Sequence, residues 1–362
     1  MTWPPRAAGT GDTRTEDVVW LHVDDAGSAG RVRRVAAEAA TDLGLPARSV
    51  AELEIAAIEL ASNLAQHATD GVVLVRRLRR AGGPAGGAVG GVGLVSVDTG
   101  PGMPDLARSR RDGHSTAGTL GIGLGAIERL ATRMDLHSLP GRGTVLAAEF
   151  WPPGVPPGAG TVDGLTRPIT GEDTCGDGFA VRQLGDGRTL LLLCDGLGHG
   201  PLAATATRVA VDAFHTTTAT DPAELVRQLH ERLGHTRGAA VGVAAVDRGA
   251  GLVRYAGLGN VAGHVVAPAA RRTMVSLPGI AGHQCRTVRE FDYPLPADAA
   301  VVLHSDGLTN RWDLATYPGL LRAAPMVLAA VLLRDAGLRR DDASVLVAGV
   351  HQDPPSPATG PP

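Results

Sequence analysis

A run rich in proline and glycine, at residues 151–160, is the feature that most constrains the fold of this 362-residue chain. Proline removes a backbone donor and glycine raises the entropy of the unfolded chain, so the run can sustain neither a helix nor a central strand. It therefore predicts a boundary between two folded domains. We place these domains at residues 16–151 and 164–351, with residues 152–163 as a Pro/Gly linker and residues 352–362 as a disordered tail.

Composition excludes several classes of function. The net charge of −3, with no sustained basic run, gives no electrostatic basis for binding nucleic acid or an anionic membrane. No apolar run approaches the roughly 20 residues of a membrane span, so we expect a cytoplasmic protein. The three cysteines lack CxxC spacing, which argues against a zinc site. The sequence contains no lysine, so backbone amides, arginine or a metal must hold the phosphates of any bound nucleotide.

Hydrophobic periodicity predicts two different α+β domains in series. Before the linker it favours helices at residues 31–43, 49–68 and 120–133, strands at 72–78, 93–97 and 144–150, and a flexible loop at 81–93. After the linker it favours strands at residues 189–194, 239–247, 252–258, 299–305 and 344–350, and helices at 201–215, 222–233 and 326–336.

Three polar residues of the second predicted helix, Glu59, Asn63 and His67, lie four residues apart and so form a row on one face. A carboxylate there can act as a base or orient water, and an amide oxygen can bind Mg²⁺. A polar helix face is more often simply solvated. The row alone therefore leaves both interpretations open.

Two glycine-rich motifs favour the functional interpretation. Asp98-Thr-Gly-Pro-Gly102 directly follows a predicted strand, and Gly121-Ile-Gly-Leu-Gly125 opens a predicted helix. Glycines let backbone amides approach phosphate oxygens, and a buried aspartate can accept a hydrogen bond from the amine of adenine. Together with Glu59-Leu-Ala-Ser-Asn63, the ordered motifs resemble the GHKL ATP-binding superfamily, whose fold is an α/β two-layer sandwich. The short spacing between the glycine motifs is similar to that in the anti-sigma-factor and stressosome serine kinases.

The resemblance to this superfamily implies a role for individual residues. Glu59 would be the catalytic base, Asn63 the ligand of the Mg²⁺ that accompanies ATP, and Asp98 the adenine contact. The remaining nucleotide-binding positions would be Gly100, Gly102, Thr116, Gly118, Gly121, Gly123, Gly125 and Thr144. Whether the domain transfers phosphate or only senses ATP stays open.

Acidic residues recur at strand ends in the C-terminal half: Asp177, Asp195, Asp306 and the pair Asp341-Asp342. A single Asp-Gly after a strand is by default a turn. Carboxylates gathered from several strands would repel one another, so divalent cations are the natural compensation. Oxygen ligands select Mg²⁺ or Mn²⁺, and two such ions can activate water and clamp a phosphoryl group.

The order of these motifs resembles the PPM phosphatases of the SpoIIE type, whose fold is an αββα sandwich. The motifs that carry this resemblance are Asp195-Gly-Leu-Gly-His-Gly200, Ser305-Asp-Gly-Leu-Thr309 and Arg340-Asp-Asp-Ala-Ser344. By resemblance, two Mn²⁺ or Mg²⁺ ions would be held by Asp177, Asp195, the Gly196 carbonyl, Asp306 and Asp341, with Asp342 as the second choice at the last position. The lone histidines His199 and His304 are interpreted as packing residues.

The two resemblances together imply a metal-dependent serine/threonine phosphoprotein phosphatase with an attached ATP-binding module. Such a protein would regulate phosphorylated STAS-domain anti-sigma-antagonist or stressosome proteins, or a sigma-factor regulator, by partner switching. One alternative is a bifunctional serine kinase and phosphatase acting on the same partner. Another is a non-catalytic module that sequesters a partner, which the complete acidic set disfavours. The sequence does not separate the first two.

Overall fold

A computed structural model describes residues 13–25, 27–81, 87–104, 123–158 and 160–350 of the chain. None of the helices within these ranges combines the length and the apolar character needed to span a bilayer. The prediction of two α+β domains in series is confirmed, since an antiparallel five-stranded sheet with helices precedes two further sheets. The predicted tail lies outside the described residues.

The N-terminal part forms one antiparallel sheet, called here the N-terminal sheet, with strand order β1-β2-β3-β5-β4. Its elements in chain order are β1 Thr13–His22, α1 Ser28–Asp42, α2 Ala47–His67, β2 Val72–Ala81, β3 Ala88–Val97, α3 Gly123–Leu130, β4 Arg133–Ser138 and β5 Thr144–Phe150. Alternating side chains of β2 serve opposite faces. Val73 and Val75 pack against α1 and α2, whereas Leu74 faces away from those helices into a second core.

Two predictions for the N-terminal part are wrong in detail. The predicted helix at residues 120–133 is described only from Gly123 and ends at Leu130, because Arg133 already begins β4. The predicted flexible loop at residues 81–93 is shorter, because β3 begins at Ala88. Glycine is needed inside this strand, since a Cβ at Gly91 would lie 2.7 Å from the ring of Trp151.

The C-terminal part forms two stacked sheets with helices on their outer faces, as the predicted αββα sandwich requires. Its elements are β6 Val162–Arg167, β7 Asp177–Gln183, β8 Thr189–Gly196, α4 Pro201–Thr216, α5 Pro222–Arg232, β9 Ala239–Asp247, β10 Leu252–Leu258, β11 Ala262–Ala267, β12 Ala270–Met274, β13 Ser276–Leu277, β14 Phe291–Pro294, β15 Ala300–His304, α6 Pro325–Ala336 and β16 Ala343–Ala348.

We name the two sheets of the C-terminal part by their order. The first C-terminal sheet runs β13-β10-β9-β8-β7, with β14 beside β10, and the second runs β12-β11-β15-β16-β6. Residues 190–194 of β8 are all apolar, because both faces of the strand are buried there. Leu190 and Leu192 pack under α4 and α5, while Leu191 and Leu193 pack against the second sheet.

The predicted linker is held against the N-terminal sheet. Arg80 donates from Nη2 to the carbonyl of Pro156 at 2.5 Å, and Arg133 donates from Nη1 to the carbonyl of Gly158 at 3.1 Å. Strand β6 begins at Val162, so it includes two residues that the sequence analysis had assigned to the linker. Its pairing with β16, six residues in register, accounts for this earlier start.

Helix α6 joins the two halves into one core. It is apolar around its circumference, and a helix of that kind must be buried on all sides. On one side it packs on β16 and β6, and on the other it packs on β3, β4 and β5 of the N-terminal sheet. Val95 and Val145 therefore belong to the same buried cluster as Val327 and Val331.

A buried charge network lies beside this shared core. Arg76 on β2 is 2% exposed, and it pairs with Asp17 on β1 at 2.6 Å and with Asp163 on β6 at 3.1 Å. Its Nη2 also donates to the carbonyl of Gly164 at 2.6 Å. The second oxygen of Asp17 accepts the backbone N–H of Thr166 at 2.6 Å. Each charge thus has a partner from the other half of the chain or from a neighbouring strand.

We predict that Arg76→Ala lowers the free energy of unfolding of the whole chain by about 3–5 kcal/mol, because it leaves two buried carboxylates without a cation. Urea unfolding followed by tryptophan fluorescence measures this loss. Arg48→Ala is the matched control, since Arg48 forms an (i,i+4) ion pair with Glu52 while 84% of its side chain is exposed. That variant should change stability by less than about 0.5 kcal/mol. Equal losses in the two variants would contradict the assignment.

Candidate functional site

Asp98 lies directly after β3 and is held by two chain segments. Its Oδ1 accepts the N–H of Gly100 at 2.7 Å, and its Oδ2 accepts the N–H of Thr144 at 3.2 Å. The residue is 8% exposed. Burial raises the pKa of Asp98, whereas the hydrogen bonds from Gly100 and Thr144 and the nearby Arg334 act to lower it. The carboxylate is therefore a fixed, buried acceptor of the kind that recognises an exocyclic amine.

The backbone closes tightly around Asp98. Gly143 adopts φ +73°, and a Cβ there would lie 2.1 Å from the carbonyl oxygen of Asp98. A side chain at Gly100 would meet the Asp98 carboxylate at 3.0 Å and the carbonyl oxygen of His67 at 3.1 Å. Gly102 and Thr144 complete the turn, since a Cβ at Gly102 would meet the carbonyl of Leu139 and the hydroxyl of Thr144 contacts Ser138.

Helix α2 ends at this turn. The N–H of Thr99 donates to the carbonyl of Thr69 at 2.9 Å, which ties the segment after α2 to the Asp98 motif. On α2, Glu59 and Asn63 are half-buried and His67 is exposed. Helix α2 packs on α3, which carries Gly123 and Gly125 near its start. The predicted Thr116, Gly118 and Gly121 lie outside the described residues.

The acidic residues of the C-terminal part meet at the ends of both sheets. Asp177 begins β7 and pairs directly with Asp195 near the end of β8. The Oδ2 atoms of both residues are buried without a hydrogen-bond partner. Burial is the main cause that raises the pKa of both carboxyls, and repulsion from nearby carboxylates, Asp306 among them, raises it further. Two acidic groups are thus placed together, and hydrogen bonds from Ser305 and Ser344 to Asp177 offset the increase in its pKa only in part.

Gly196 and Asp306 lie next to this pair. Gly196 is pressed against the chain, because a Cβ there would lie 2.5 Å from the carbonyl oxygen of Ala203 and 2.8 Å from that of Gly176. Asp306 follows β15, and its Oδ2 accepts a hydrogen bond from Asn260 Nδ2 at 2.5 Å. Across the described ranges, no three carboxylate, imidazole or thiol groups lie close enough together to hold a metal ion as they stand.

Asp341 and Asp342 have different environments. Asp342 is 2% exposed, and its two oxygens accept the N–H groups of Ile169 and Gly176, each at 2.7 Å. Asp341 is more accessible, and burial together with the charge of Asp306 raises its pKa. The carboxylate of Asp342 is therefore occupied in holding loops together. That of Asp341 accepts one N–H, from Asp342 at 3.0 Å, and is near enough to Asp306 for the charge of Asp306 to raise its pKa.

The two histidines next to the acidic motifs have separate roles. His304 is 1% exposed, and its ring stacks on that of His264 with centroids 5.5 Å apart. Its Nδ1 lies 2.8 Å from the carbonyl oxygen of Ser305, which matches the predicted packing role. His199 instead is exposed at the rim and pairs with Glu172.

Family comparisons agree with both halves of this structure. A model of the histidine kinase-like ATPase domain matches residues 23–150, and a model of stage II sporulation protein E (SpoIIE) matches residues 185–351. The serine/threonine-protein kinase RsbT of Bacillus subtilis (strain 168) is 32% identical over 119 residues, which are 33% of this chain and 85% of RsbT. The N-terminal half belongs to the RsbT family, and the C-terminal half matches the SpoIIE model. The chain therefore carries an RsbT-like ATPase domain followed, in tandem, by a serine/threonine phosphatase domain of the SpoIIE type.

Solved structures also resemble the chain in part. A structure from the bacterial stressosome, a modular system adapted to control secondary messenger signalling, is 30% identical, covers 51% of this chain and 97% of its own, and has a TM-score of 0.47. RsbX in complex with magnesium is 18% identical, with coverages of 51% and 92% and a TM-score of 0.45. Serine/threonine phosphatase Stp1 from Staphylococcus aureus is 14% identical, with coverages of 53% and 95% and a TM-score of 0.43.

Three residues near the sites were not predicted as site residues. Gly143 is needed at the Asp98 turn, and its position in Pro140-Gly-Arg-Gly-Thr144 was a usable signal. Asn260 lies in the turn between β10 and β11 and donates to Asp306 after β15, a contact that becomes visible only in the fold. Arg334 of α6 donates to the carbonyl of Asp98 at 3.1 Å, although 236 residues separate them.

We predict that Gly143→Ala destabilises the chain more than Gly141→Ala does. Both glycines have φ near +74°, so both variants lose about 1–2 kcal/mol to backbone strain. At Gly141 a Cβ meets nothing within 4 Å, whereas at Gly143 it collides with the Asp98 backbone. Gly143→Ala should therefore lose about 1–3 kcal/mol more than Gly141→Ala. Thermal unfolding measures the difference, and equal melting temperatures would contradict the tight turn.

Proposed function

We propose that the protein is a metal-dependent serine/threonine phosphoprotein phosphatase that dephosphorylates STAS-domain anti-sigma-antagonist or stressosome proteins and carries an ATP-binding module. The observation that supports it most is the pairing of Asp177 with Asp195 across β7 and β8, where each carboxylate has one buried oxygen without a hydrogen-bond partner. Buried charges are expensive unless they are paired or bind a metal. The match of the C-terminal half to the SpoIIE model favours metal binding over ion pairing.

The donor set fits hard divalent cations. Asp177, Asp195, Asp306 and Asp341 supply carboxylates and Gly196 supplies a carbonyl, with no sulfur or imidazole, which suits Mn²⁺ or Mg²⁺. Asp341 is preferred to Asp342 because both oxygens of Asp342 already accept backbone N–H groups. Two bound divalent ions would activate water and neutralise the phosphoryl oxygens. The protein's own residues hold these donors at the ends of rigid strands, with Asn260 fixing the orientation of Asp306.

The N-terminal site is proposed to bind ATP with Mg²⁺. Asp98 offers a fixed acceptor for the amine of adenine, and its two hydrogen-bonded neighbours hold it in place. Glu59 and Asn63 lie half-buried on α2, whose end is tied to the same turn. The roles of base for Glu59 and of Mg²⁺ ligand for Asn63 follow from the motif. The glycine-rich segments at Gly100, Gly102, Gly123 and Gly125 would approach the phosphates.

A second candidate function is serine kinase activity on the same partner. It is favoured by the 32% identity with a protein described as a serine/threonine kinase. A kinase and a phosphatase in one chain have chemically matched substrates, because the product of the first is the substrate of the second. The phosphatase-silenced variant Asp306→Asn should then accumulate phosphate on an unphosphorylated STAS protein when ATP is supplied, and adding Glu59→Gln should abolish that transfer. No transfer by Asp306→Asn would reduce the N-terminal domain to an ATP-sensing module.

We expect release of phosphate from a phosphorylated STAS-domain protein to require Mn²⁺ or Mg²⁺ and to stop in EDTA, because the donors alone cannot activate water. Asp306→Asn should lower the rate by about 100-fold or more, since loss of even an outer residue of a metal site costs 10–100-fold. Phosphate release measured on that substrate and on p-nitrophenyl phosphate tests both points.

Asp186→Asn is the matched control for the phosphatase assay. Asp186 lies in the same β7–β8 hairpin, in the turn at the opposite end from Asp177 and Asp195, and is exposed. It should leave the rate unchanged. Full turnover in EDTA would refute the metal assignment. Hydrolysis of p-nitrophenyl phosphate without action on any phosphorylated STAS protein would refute the proposed partner.

Nucleotide binding should depend on Asp98 and Asn63. Asp98→Asn should weaken binding of a non-hydrolysable ATP analogue by about 10–100-fold, since a hydrogen bond to a charged group is worth about 1.5–3 kcal/mol. Asn63→Ala should weaken binding only when Mg²⁺ is present. Calorimetry with and without Mg²⁺ measures both effects. Asp42→Asn, at the exposed end of α1, is the control, and wild-type affinity in all three variants would refute the site.

A further inference from the structure

Arg334 reaches from the phosphatase domain to the proposed adenine-binding residue. It lies in the last turn of α6, with a side chain that is 5% exposed. Its Nη1 donates to the carbonyl oxygen of Asp98 at 3.1 Å. This is the same oxygen against which Gly143 is packed. The backbone at Asp98 is therefore fixed by its own domain on one side and by α6 on the other.

The guanidinium of Arg334 is itself held in a single orientation. Asp335 accepts from its Nε at 2.7 Å and from its Nη2 at 2.9 Å, which leaves Nη1 for Asp98. The hydroxyl of Tyr317 donates to Asp335 at 2.7 Å, and Arg142 lies over the Tyr317 ring with its guanidinium carbon 4.9 Å from the centroid. Both domains thus contribute to the position of Arg334. A bidentate pair of this kind restricts the side chain more than a single contact does.

The end of the same helix is joined to the acidic centre. Leu308 and Gly337 form an isolated antiparallel bridge. The N–H of Thr309 donates to Ala336 at 2.9 Å, and the N–H of Leu338 donates to Gly307 at 2.7 Å. These bonds begin one residue after Asp306, the proposed metal ligand. Arg334 lies two positions before Ala336, the helix residue whose carbonyl accepts the first of these bonds.

The loop that carries Asp306 and the end of α6, which the hydrogen bonds above join, are both closely packed. A Cβ at Gly307 would lie 1.9 Å from the carbonyl oxygen of Asp342, and one at Gly337 would lie 2.3 Å from that of Leu333. Interiors packed this closely transmit small displacements instead of absorbing them. A shift of α6 at Arg334 therefore reaches the backbone next to Asp306.

We propose that Arg334 is a positioning residue for the nucleotide site of the neighbouring domain, and that α6 thereby couples nucleotide binding to the phosphatase centre. The inference rests on the proposed binding of ATP at Asp98. A bound nucleotide favours the position of Asp98 that fits the adenine best. Because Arg334 is bonded to the Asp98 carbonyl, the nucleotide then also favours one position of Arg334 and of the end of α6. By linkage, a ligand bound at the phosphatase centre then changes nucleotide affinity by the same factor by which nucleotide changes the affinity for that ligand.

The first test is nucleotide affinity in the full chain. Arg334→Met keeps the length of the side chain but loses the hydrogen bond to Asp98. Calorimetry should show a non-hydrolysable ATP analogue binding about 5–10-fold more weakly, with a smaller preference over the matching GTP analogue. Arg334→Lys keeps a donor and should recover part of the affinity. A merely structural role would change the melting temperature without changing the preference for adenine.

The control variant is Arg80→Ala, which removes a different guanidinium-to-carbonyl hydrogen bond between the N-terminal sheet and the linker, away from Asp98. It should bind the analogue with wild-type affinity. Wild-type affinity and adenine preference in Arg334→Met would overturn the inference while leaving the proposed ATP site in place. Failure of the wild-type chain to bind the analogue at all would overturn both.

The second test measures the coupling itself. In the wild type, saturating ATP analogue should change KM or kcat for p-nitrophenyl phosphate by about fivefold, a typical size for coupling between two sites. In Arg334→Met that response should be lost, while Arg80→Ala should keep it. An equal response in wild type and Arg334→Met, or none in the wild type, would overturn the coupling.

Discussion

The burial of α6 is the constraint on which the remaining structure depends. Ten of its twelve residues are buried, including Val327, Leu328 and Val331, and the surfaces that bury them come from both halves of the chain. Burying one such side chain is worth about 1.5–3 kcal/mol relative to leaving it in water. Separating the two domains would expose one face of this helix and the facing side of the N-terminal sheet. The shared core, and not the Pro/Gly linker, therefore fixes how the ATPase and phosphatase domains sit together.

The chain treats buried charge in two opposite ways. At the domain interface, Arg76 pairs with two carboxylates, and each of its three guanidinium nitrogens, Nε, Nη1 and Nη2, donates a hydrogen bond. At the ends of β7 and β8, Asp177 and Asp195 face each other with no bonded cation, and unpartnered oxygens remain. The network around Arg76 has all its charges paired within the protein, and it holds the two domains together. The arrangement of Asp177 and Asp195 raises the pKa of its own members and is tolerable mainly where a ligand of opposite charge can bind.

Sequence patterns predicted the parts of this fold that obey local rules. The helices at α1, α2, α4 and α5 and the apolar strands such as β8 and β9 have clear periodicity, and short motifs marked the acidic and glycine-rich positions. Strands β1 and β4 were missed because their polar residues serve contacts between distant segments: Asp17 bonds to Arg76 and Thr166, and Asp135 accepts the N–H of Ala324. The same reason hid Arg334, whose partner lies in another domain. The choice between Asp341 and Asp342 likewise needed the backbone partners of Asp342.

A rigid arrangement changes what the fusion can do for catalysis. A flexible linker would raise the local concentration of one site around a partner held by the other. Here α6 fixes the two proposed sites on one body, so the distance between them cannot adjust to a bound partner as it would with a flexible linker. Proximity alone then cannot determine the order in which the sites act. The other way for one site to affect the other is a change in the conformation of the sites. A short series of bonded groups can carry such a change, from the Asp98 carbonyl through Arg334 to the backbone beside Asp306. The covalent fusion is thus better suited to regulating one activity by the ligand of the other than to passing a substrate between them.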